Sequence, residues 1–122
     1  MKKAKAIAGA AIAASLMVLA PASAYAGQNS AQLTCHVTQG DWGMWCENMA
    51  NIPAYQHRNF NSAIVGRVKT TTSYFACWGR GEQNGRNSIW YWAQTDDTGA
   101  WGNVASVHVK TPQDPMSQMR QC

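Results

Sequence analysis

SIWYWAQTDDTGAWGNV, residues 88–104, is the stretch that decides the fold class of this chain. Residues 88–94 are its most β-prone segment, because aromatic and β-branched side chains follow one another there. The Asp-Asp-Thr-Gly turn at 96–99 and the return segment from Trp101 to Val104 complete the pattern of a β-hairpin. Short apolar segments recur roughly every eight to twelve residues, and none after residue 26 combines helical periodicity with good helix formers. The sequence therefore predicts an all-β fold, specifically a small barrel.

The same hairpin carries more aromatic surface than one core face accommodates. Strand alternation places Trp90 and Trp92 on one face and Tyr91 on the other, and in a barrel only one face is interior. The rings on the outer face therefore need either a covering segment or a ligand. The sequence favours a cover, supplied by an N-terminal hairpin with Trp42 and Trp45 or by a tail with Met116 and Met119.

The alternative interpretation is an aromatic groove that stays open. Grooves lined by aromatic rings grip extended peptides, and the same rings stack on sugars. Exposed aromatic patches of more than a few hundred Å² usually mark interaction sites, so the exposure of these rings distinguishes the two interpretations. The residues predicted to line such a groove are Trp42, Tyr55, Trp78, Trp92 and Trp101.

Residues 1–26 have the pattern of a secretory signal peptide. Three lysines in the first five residues precede an apolar run at 6–20, and Pro21 and an Ala-Tyr-Ala ending follow. The run is too short and too rich in alanine for a membrane anchor. The expected organisation is then a signal peptide at 1–26, an N-terminal hairpin extension at 27–49, the barrel at 50–110 and a tail at 111–122. We expect a secreted monomer without membrane attachment after cleavage.

Charge argues against nucleic acid as a partner. The chain has ten lysines and arginines against six acids, but three of the lysines lie in the predicted signal peptide. The remaining basic residues are scattered singly, whereas a phosphate-binding surface concentrates them on one face.

Cysteine usage fits a secreted protein. All four cysteines lie after residue 26, and an even number in an oxidising compartment favours two disulfides. Three connectivities are possible. Pairing of Cys35 with Cys46 across a hairpin, and of Cys77 with Cys122 in the tail, is the preferred one. The sequence contains no Cys-x-x-Cys motif and its histidines are dispersed, so we expect neither a metal nor another cofactor.

Three segments together resemble the bacterial Src-homology-3-like domains, in particular the small secreted ones of actinobacteria. They are NIPAYQHRNFNSAIVGRV at 51–68, SYFACWGRGE at 73–82 and NSIWYWAQTDDTGAWGNVASVHV at 87–109. The matching motifs are Val65-Gly66-Arg67-Val68, Cys77-Trp78 and Ile89-Trp90-Tyr91. Two positions depart from the family pattern, since Asn103 stands where an aromatic residue is usual and residues 55–58 replace an Arg-Ser-Gly-Pro turn.

The resemblance implies a Src-homology-3-like barrel that binds cell-envelope ligands, namely peptidoglycan stem or cross-bridge peptides, without catalysis. A secreted inhibitor or effector that binds another extracellular protein, for example through the glycine-rich loop at 79–87, is the second hypothesis. A small hydrolase is the third, and it requires His57 or His108 to pair with an acid in a cleft. The acids considered are Asp96, Asp97 and Glu47. Because Asp96 and Asp97 lie in a turn where carboxylates accept backbone amides, the sequence predicts a non-enzymatic protein.

Overall fold

The computed structural model describes residues 34–122, and the predicted signal peptide lies outside these residues. Seven β-strands and one 3-10 turn form this part of the chain. The strands are β1 (Cys35–Val37), β2 (Met44–Glu47), β3 (Ile52–Tyr55), β4 (Ile64–Val68), β5 (Thr72–Arg80), β6 (Ile89–Gln94) and β7 (Trp101–Ala105), and the 3-10 turn is Ser106–His108. Within residues 34–122 no helix has the length and hydropathy needed to span a membrane.

All seven strands belong to one antiparallel sheet with the order β1-β2-β5-β6-β7-β3-β4. The predicted hairpin forms from β6 and β7, with Trp92 opposite Asn103 and Gln94 opposite Trp101. The all-β prediction is thus confirmed. The barrel is not confirmed, because β1 and β4 end the sheet without pairing with each other, and the sheet stays open.

The outer edge of β4 is covered by the turn between β6 and β7. The backbone amide of Arg67 donates to Asp97 Oδ1 at 2.8 Å, and that of Lys69 donates to Asp96 Oδ2 at 2.6 Å. In return the Asp96 amide donates to the Arg67 carbonyl at 2.9 Å. The two carboxylates therefore accept hydrogen bonds from backbone amides at the end of β4 and just beyond it, about thirty residues away in sequence, and not only from their own turn. Side-chain oxygens take the place of the neighbouring strand that would close a barrel.

The hydrophobic core lies against one face of the sheet. Met44, Phe75, Val68, Tyr91 and Val104 are among its fully buried side chains. Met119 of the tail joins this core and Met116 packs against it, so the two methionines lie on the core face and do not cover the rings of the opposite face, as the sequence had predicted they would. The N-terminal hairpin, β1 and β2, contributes Met44 and its disulfide instead of its tryptophans.

A β-bulge in β5 determines where the tail lies. β2 pairs with β5 only over Thr72–Phe75, and the register of β5 shifts between Phe75 and Cys77. Beyond the bulge the tail takes the position beside β5. The amide of Trp78 donates to the Arg120 carbonyl at 3.1 Å, and the Cys122 amide donates to the Trp78 carbonyl at 2.8 Å. This edge of the sheet is therefore paired.

Two disulfides connect Cys35 with Cys46 and Cys77 with Cys122, as the sequence favoured. The first joins directly opposed residues of β1 and β2. The second fixes the tail to the centre of β5. Both bridges indicate folding in an oxidising environment.

The start of the tail is held by a buried carboxylate. The Asp114 side chain is 2% exposed, and it forms an ion pair with Arg86 at 3.0 Å. Tyr91 donates its hydroxyl proton to Asp114 Oδ1, and the Asn87 amide donates to Oδ2 at 3.0 Å. Burial raises the pKa of Asp114, but hydrogen bonds from four side chains outweigh burial and hold the pKa below its ordinary value. The carboxylate is thus a charged, fully paired anchor between the loop at 81–88 and the tail.

Candidate functional site

One face of the sheet carries rings that the core does not take. Because alternate residues of a strand share a face, Trp45 and Tyr74 point away from the core face that holds Met44 and Phe75. By the same rule Trp92 lies opposite the face that holds Tyr91. We call this surface the aromatic face. Its members are Trp45, Tyr55, Phe60, Tyr74, Trp90, Trp92 and Trp101.

One end of the aromatic face is closed by a loop. Phe60 lies over Trp90 with ring centroids 5.1 Å apart, and Tyr55 meets both rings edge-on at 5.5 and 6.0 Å. Trp90 is fully buried, and its indole N–H donates to the Glu82 carbonyl at 2.9 Å. Trp90 is therefore a structural residue, covered by the loop at 56–62 and not by the N-terminal hairpin.

The middle of the face carries a stacked pair. Trp92 and Trp101 lie with ring centroids 6.2 Å apart and ring planes inclined by 20°. Trp92 is half-buried, whereas 40% of Trp101 is exposed. No described segment lies over the outer side of Trp101 closely enough to bury it. The pair offers a flat apolar surface to solvent at the centre of the sheet.

A cavity of about 510 Å³ opens beside Trp92, and this is within the usual range for ligand sites, whereas Trp101 lines a separate depression with Trp45 and Tyr74. Its lining residues are Gln56, His57, Arg58, Cys77, Trp92, Asn103 and Cys122. The Cys77–Cys122 bridge thus forms part of the wall, because the bulge in β5 turns Cys77 toward the aromatic face.

Asn103 fixes the opposite wall. Its side-chain amide donates to the carbonyls of Tyr55 and Gln56, each at 3.1 Å, and the residue is buried. These bonds tie the end of β3 to β7, where the ladder has a single pair of residues. At the position where the family resemblance expects an aromatic ring, a polar side chain therefore shapes the start of the loop at 56–62.

The five residues predicted to line a groove do not all come together. Tyr55, Trp92 and Trp101 lie on the aromatic face. Trp78 packs against the core on the other face, where its indole N–H donates to the Met119 carbonyl at 3.1 Å and Arg80 lies 5.5 Å from its ring. Trp42 is 39% exposed and lines a separate depression with Gln118 and Arg120.

Several residues of this surface were not among those predicted to line a groove. Trp45 and Tyr74 form a second ring pair with centroids 5.5 Å apart, and Trp45 is 44% exposed. Directly opposed residues of two paired strands share a face. The sequence would therefore have revealed this pair if it had shown that β2 pairs with β5. Arg58 and Asn103 carry no such signal, because their roles depend on contacts between β3, β5 and β7.

The acid–base pairing that a hydrolase would need is not formed within residues 34–122. Neither His57 nor His108 makes a side-chain hydrogen bond or ion pair with Asp96, Asp97 or Glu47. Burial, together with the charge of Arg86, lowers the pKa of His108. Residues 34–122 also contain no group of three or more acidic, histidine or cysteine side chains placed to hold a metal ion.

Comparison of the chain with protein-family models, with curated proteins and with solved structures finds no match in any of the three. The geometry of the aromatic face and the cavity is therefore the basis for inferring function.

Proposed function

We propose that this protein is a secreted, non-enzymatic binding module that holds an extended cell-wall peptide in the cavity beside Trp92 and Trp101. The observation that carries the proposal is the stacked pair itself, in which Trp92 lines a cavity of about 510 Å³ and Trp101 continues the ring surface outside it, open to solvent. Aromatic-lined grooves bind extended peptides because a chain that is already extended loses little conformational entropy on binding. Polar groups of Gln56 and His57 at the rim supply hydrogen bonds to a peptide backbone.

The ligand class comes from the resemblance to bacterial Src-homology-3-like domains, for which peptidoglycan peptides are the usual association. The proposal includes membership of this family, in which case the open sheet corresponds to a family barrel that has not closed. Two disulfides agree with a location outside the cytoplasm. On this proposal the predicted signal peptide delivers the module to the envelope, where it acts as a monomer.

Binding to purified peptidoglycan tests the proposal. The wild-type protein should sediment with the wall material and be released by soluble peptide fragments, and Trp101→Ala should weaken binding at least about 10-fold. Trp42→Asn is the matched control, because Trp42 has nearly the same exposure, 39% against 40%, but lies on another surface. Asparagine suits its backbone φ of 58°. Protein that remains in the supernatant, or equal binding by Trp101→Ala and wild type, would overturn the proposal.

A second candidate is a secreted inhibitor or effector that presents the loop at 81–88 to another protein. One observation favours it, namely the rigidity of this loop. Asn84 is buried, and its amide donates to the Ile89 carbonyl at 2.8 Å and to the Ser106 hydroxyl at 3.1 Å. A rigid exposed loop binds a protein partner at low entropic cost. Substitution of Gln83, which is exposed at the tip of the loop, would reduce capture of such a partner while wall binding stays unchanged.

A further inference from the structure

Arg58 is a cation without a partner in the wall of the cavity. Its side chain forms no hydrogen bond and no ion pair with any residue of 34–122, and its Nε is buried without a hydrogen-bond acceptor. Arg86 shows the usual arrangement, since its guanidinium donates to Asp114, to the Val109 carbonyl and to Thr111. Partial burial of a charge without a counter-ion is unfavourable, so an unpaired arginine in a cavity wall needs a reason.

The position of Arg58 is built into the fold by two glycines. A Cβ atom at Gly79 would lie 2.3 Å from Cζ of Arg58, and one at Gly81 would lie 2.3 Å from its Cβ. The guanidinium therefore lies flat against the backbone of β5. The amide of Glu82 donates to the Arg58 carbonyl at 2.9 Å and fixes the main chain. Any side chain at 79 or 81 would displace the arginine.

No described acid neutralises this charge. Glu82 is the carboxylate whose backbone contacts Arg58, but its Oε1 accepts the amide of Phe60 at 2.9 Å. No Asp or Glu oxygen of residues 34–122 lies within 4.0 Å of the Arg58 guanidinium. The cavity wall thus combines a guanidinium that has no carboxylate within 4.0 Å with the apolar ring of Trp92, and Cys122 lines the same wall.

We infer that Arg58 binds a carboxylate of the ligand while Trp92 contacts the apolar part beside it, an inference that rests on the proposed function. A planar guanidinium matches a carboxylate through two parallel hydrogen bonds, which in Arg58 come from the two Nη atoms because Nε is buried, and a desolvated site strengthens them. The ligand class is then a peptide with a free carboxylate at the residue that enters the cavity. That carboxylate is either the C-terminal group or an acidic side chain.

Three forms of one synthetic stem peptide distinguish these sources. The first has a free C-terminal carboxylate, the second is its C-terminal amide, and in the third the acidic side chain is an amide instead. Binding to the wild-type protein is followed by tryptophan fluorescence. The form that lacks the recognised carboxylate should bind about 10- to 100-fold more weakly, in the range of a charged hydrogen bond. Equal affinity for all three forms would overturn the inference.

Variants then assign the effect to Arg58. In Arg58→Gln, the affinity for the preferred peptide should fall to that for its amide form, and the affinity for the amide form should not change. Arg58→Lys should keep part of the preference for the free carboxylate. Arg80→Gln is the control, because Arg80 lies over Trp78 and outside the cavity. An equal loss for acid and amide forms in Arg58→Gln would show a merely structural role and contradict the inference.

A measurement without any wall peptide separates the two proposals. Acetate added to isotope-labelled protein should shift the nuclear magnetic resonance signal of the Arg58 side chain, and chloride at equal ionic strength should not. If acetate shifts this signal and no wall peptide binds, the carboxylate site stands and the wall-binding proposal fails. If peptides bind in a manner that depends on Trp101 but acetate has no effect, the wall-binding proposal stands and the carboxylate site fails.

Discussion

The rings of Trp92 and Trp101 lie nearly parallel, 6.2 Å apart, although the two residues belong to neighbouring strands and are not directly opposed. Trp92 faces Asn103 in the ladder, and Trp101 faces Gln94. The contact is therefore diagonal, a spacing that large rings can bridge. It leaves one surface of Trp101 open at the centre of the sheet.

Removal of the exposed ring should cost little stability. We expect Trp101→Ala to lower the free energy of unfolding by about 1 kcal/mol, the usual size of an aromatic pair. Trp90→Ala should cost about 3 to 5 kcal/mol, because Trp90 is fully buried under Tyr55 and Phe60. Urea unfolding of both variants measures the difference. An equal decrease in unfolding free energy in the two variants would mean that Trp101 supports the fold as much as the buried Trp90 does.

The turn between β6 and β7 should protect the edge of β4. In Asp97→Ala we expect hydrogen exchange at the Arg67 amide to become at least about 10-fold faster, because Asp97 Oδ1 accepts that amide. Exchange at Tyr91 in the central strand serves as the control and should not change.

The same bond gives a pH dependence. The Arg67 amide is the main cause of the lowered pKa of Asp97. Protection of Arg67 should therefore be present above the ordinary carboxyl pKa and be lost as pH falls through the lowered pKa of the folded state. Protection that does not vary between neutral and strongly acidic pH would contradict this assignment.

Asp114 should stabilise the folded protein at neutral pH and lose this effect in acid. Its pKa is lowered in the folded protein, so its contribution is present above about pH 4 and is lost as pH falls through the folded-state pKa. We expect Asp114→Asn to cost about 3 kcal/mol at pH 7, since it leaves Arg86 unpaired. The difference from wild type should shrink near pH 2. A cost that does not depend on pH would assign the effect to packing.

At alkaline pH the stability of the fold should depend on Tyr91, which donates a hydrogen bond to Asp114. Burial, and then the hydrogen bond to Asp114, raises the pKa of Tyr91 above its ordinary value of 10.0. Stability should thus be complete below pH 10 and fall as pH rises toward the folded-state pKa. Tyr91→Phe should remove this alkaline loss, and thermal unfolding between pH 8 and pH 12 measures it. An unchanged alkaline decline in Tyr91→Phe would point to another group.

The two disulfides should differ in their contributions. They span 11 and 45 positions, and the entropy of loop closure gives about 3 kcal/mol for Cys35–Cys46 and about 4 kcal/mol for Cys77–Cys122. Paired alanine variants of each bridge, unfolded in urea, provide the comparison. A larger loss at Cys35–Cys46 would show that the hairpin bridge acts through native packing instead of chain entropy.

Local patterns in the sequence predicted the elements that depend on neighbouring residues. The β6–β7 hairpin follows from its aromatic strand and its turn. The preferred disulfides follow from a hairpin and a tail. In each case the signal lies within a short stretch or in residue chemistry.

Trp78 shows what local patterns could not supply. Regular alternation from Phe75 would turn Cys77 toward the core and Trp78 toward the aromatic face. The bulge at Ala76 reverses both, so Trp78 enters the core side and Cys77 lines the cavity. The site of a bulge depends on where β2 ends and the tail begins to pair, and this is a long-range property. The same holds for the open sheet, which ends where side chains of a turn cover β4.

The bridge from Cys77 to Cys122 also determines how the molecule would respond to mechanical force. Tension along the chain would pass from Cys77 directly to Cys122, so the residues between them could not be extended. A stretched molecule would be shorter by about 150 Å than one without the bridge, at about 3.4 Å for each of the 45 positions spanned. Trp92 and Trp101 lie inside this protected loop, whereas Arg58 lies outside it. Under load, the cavity would therefore lose its cation while its stacked rings stay in one unstretched covalent loop.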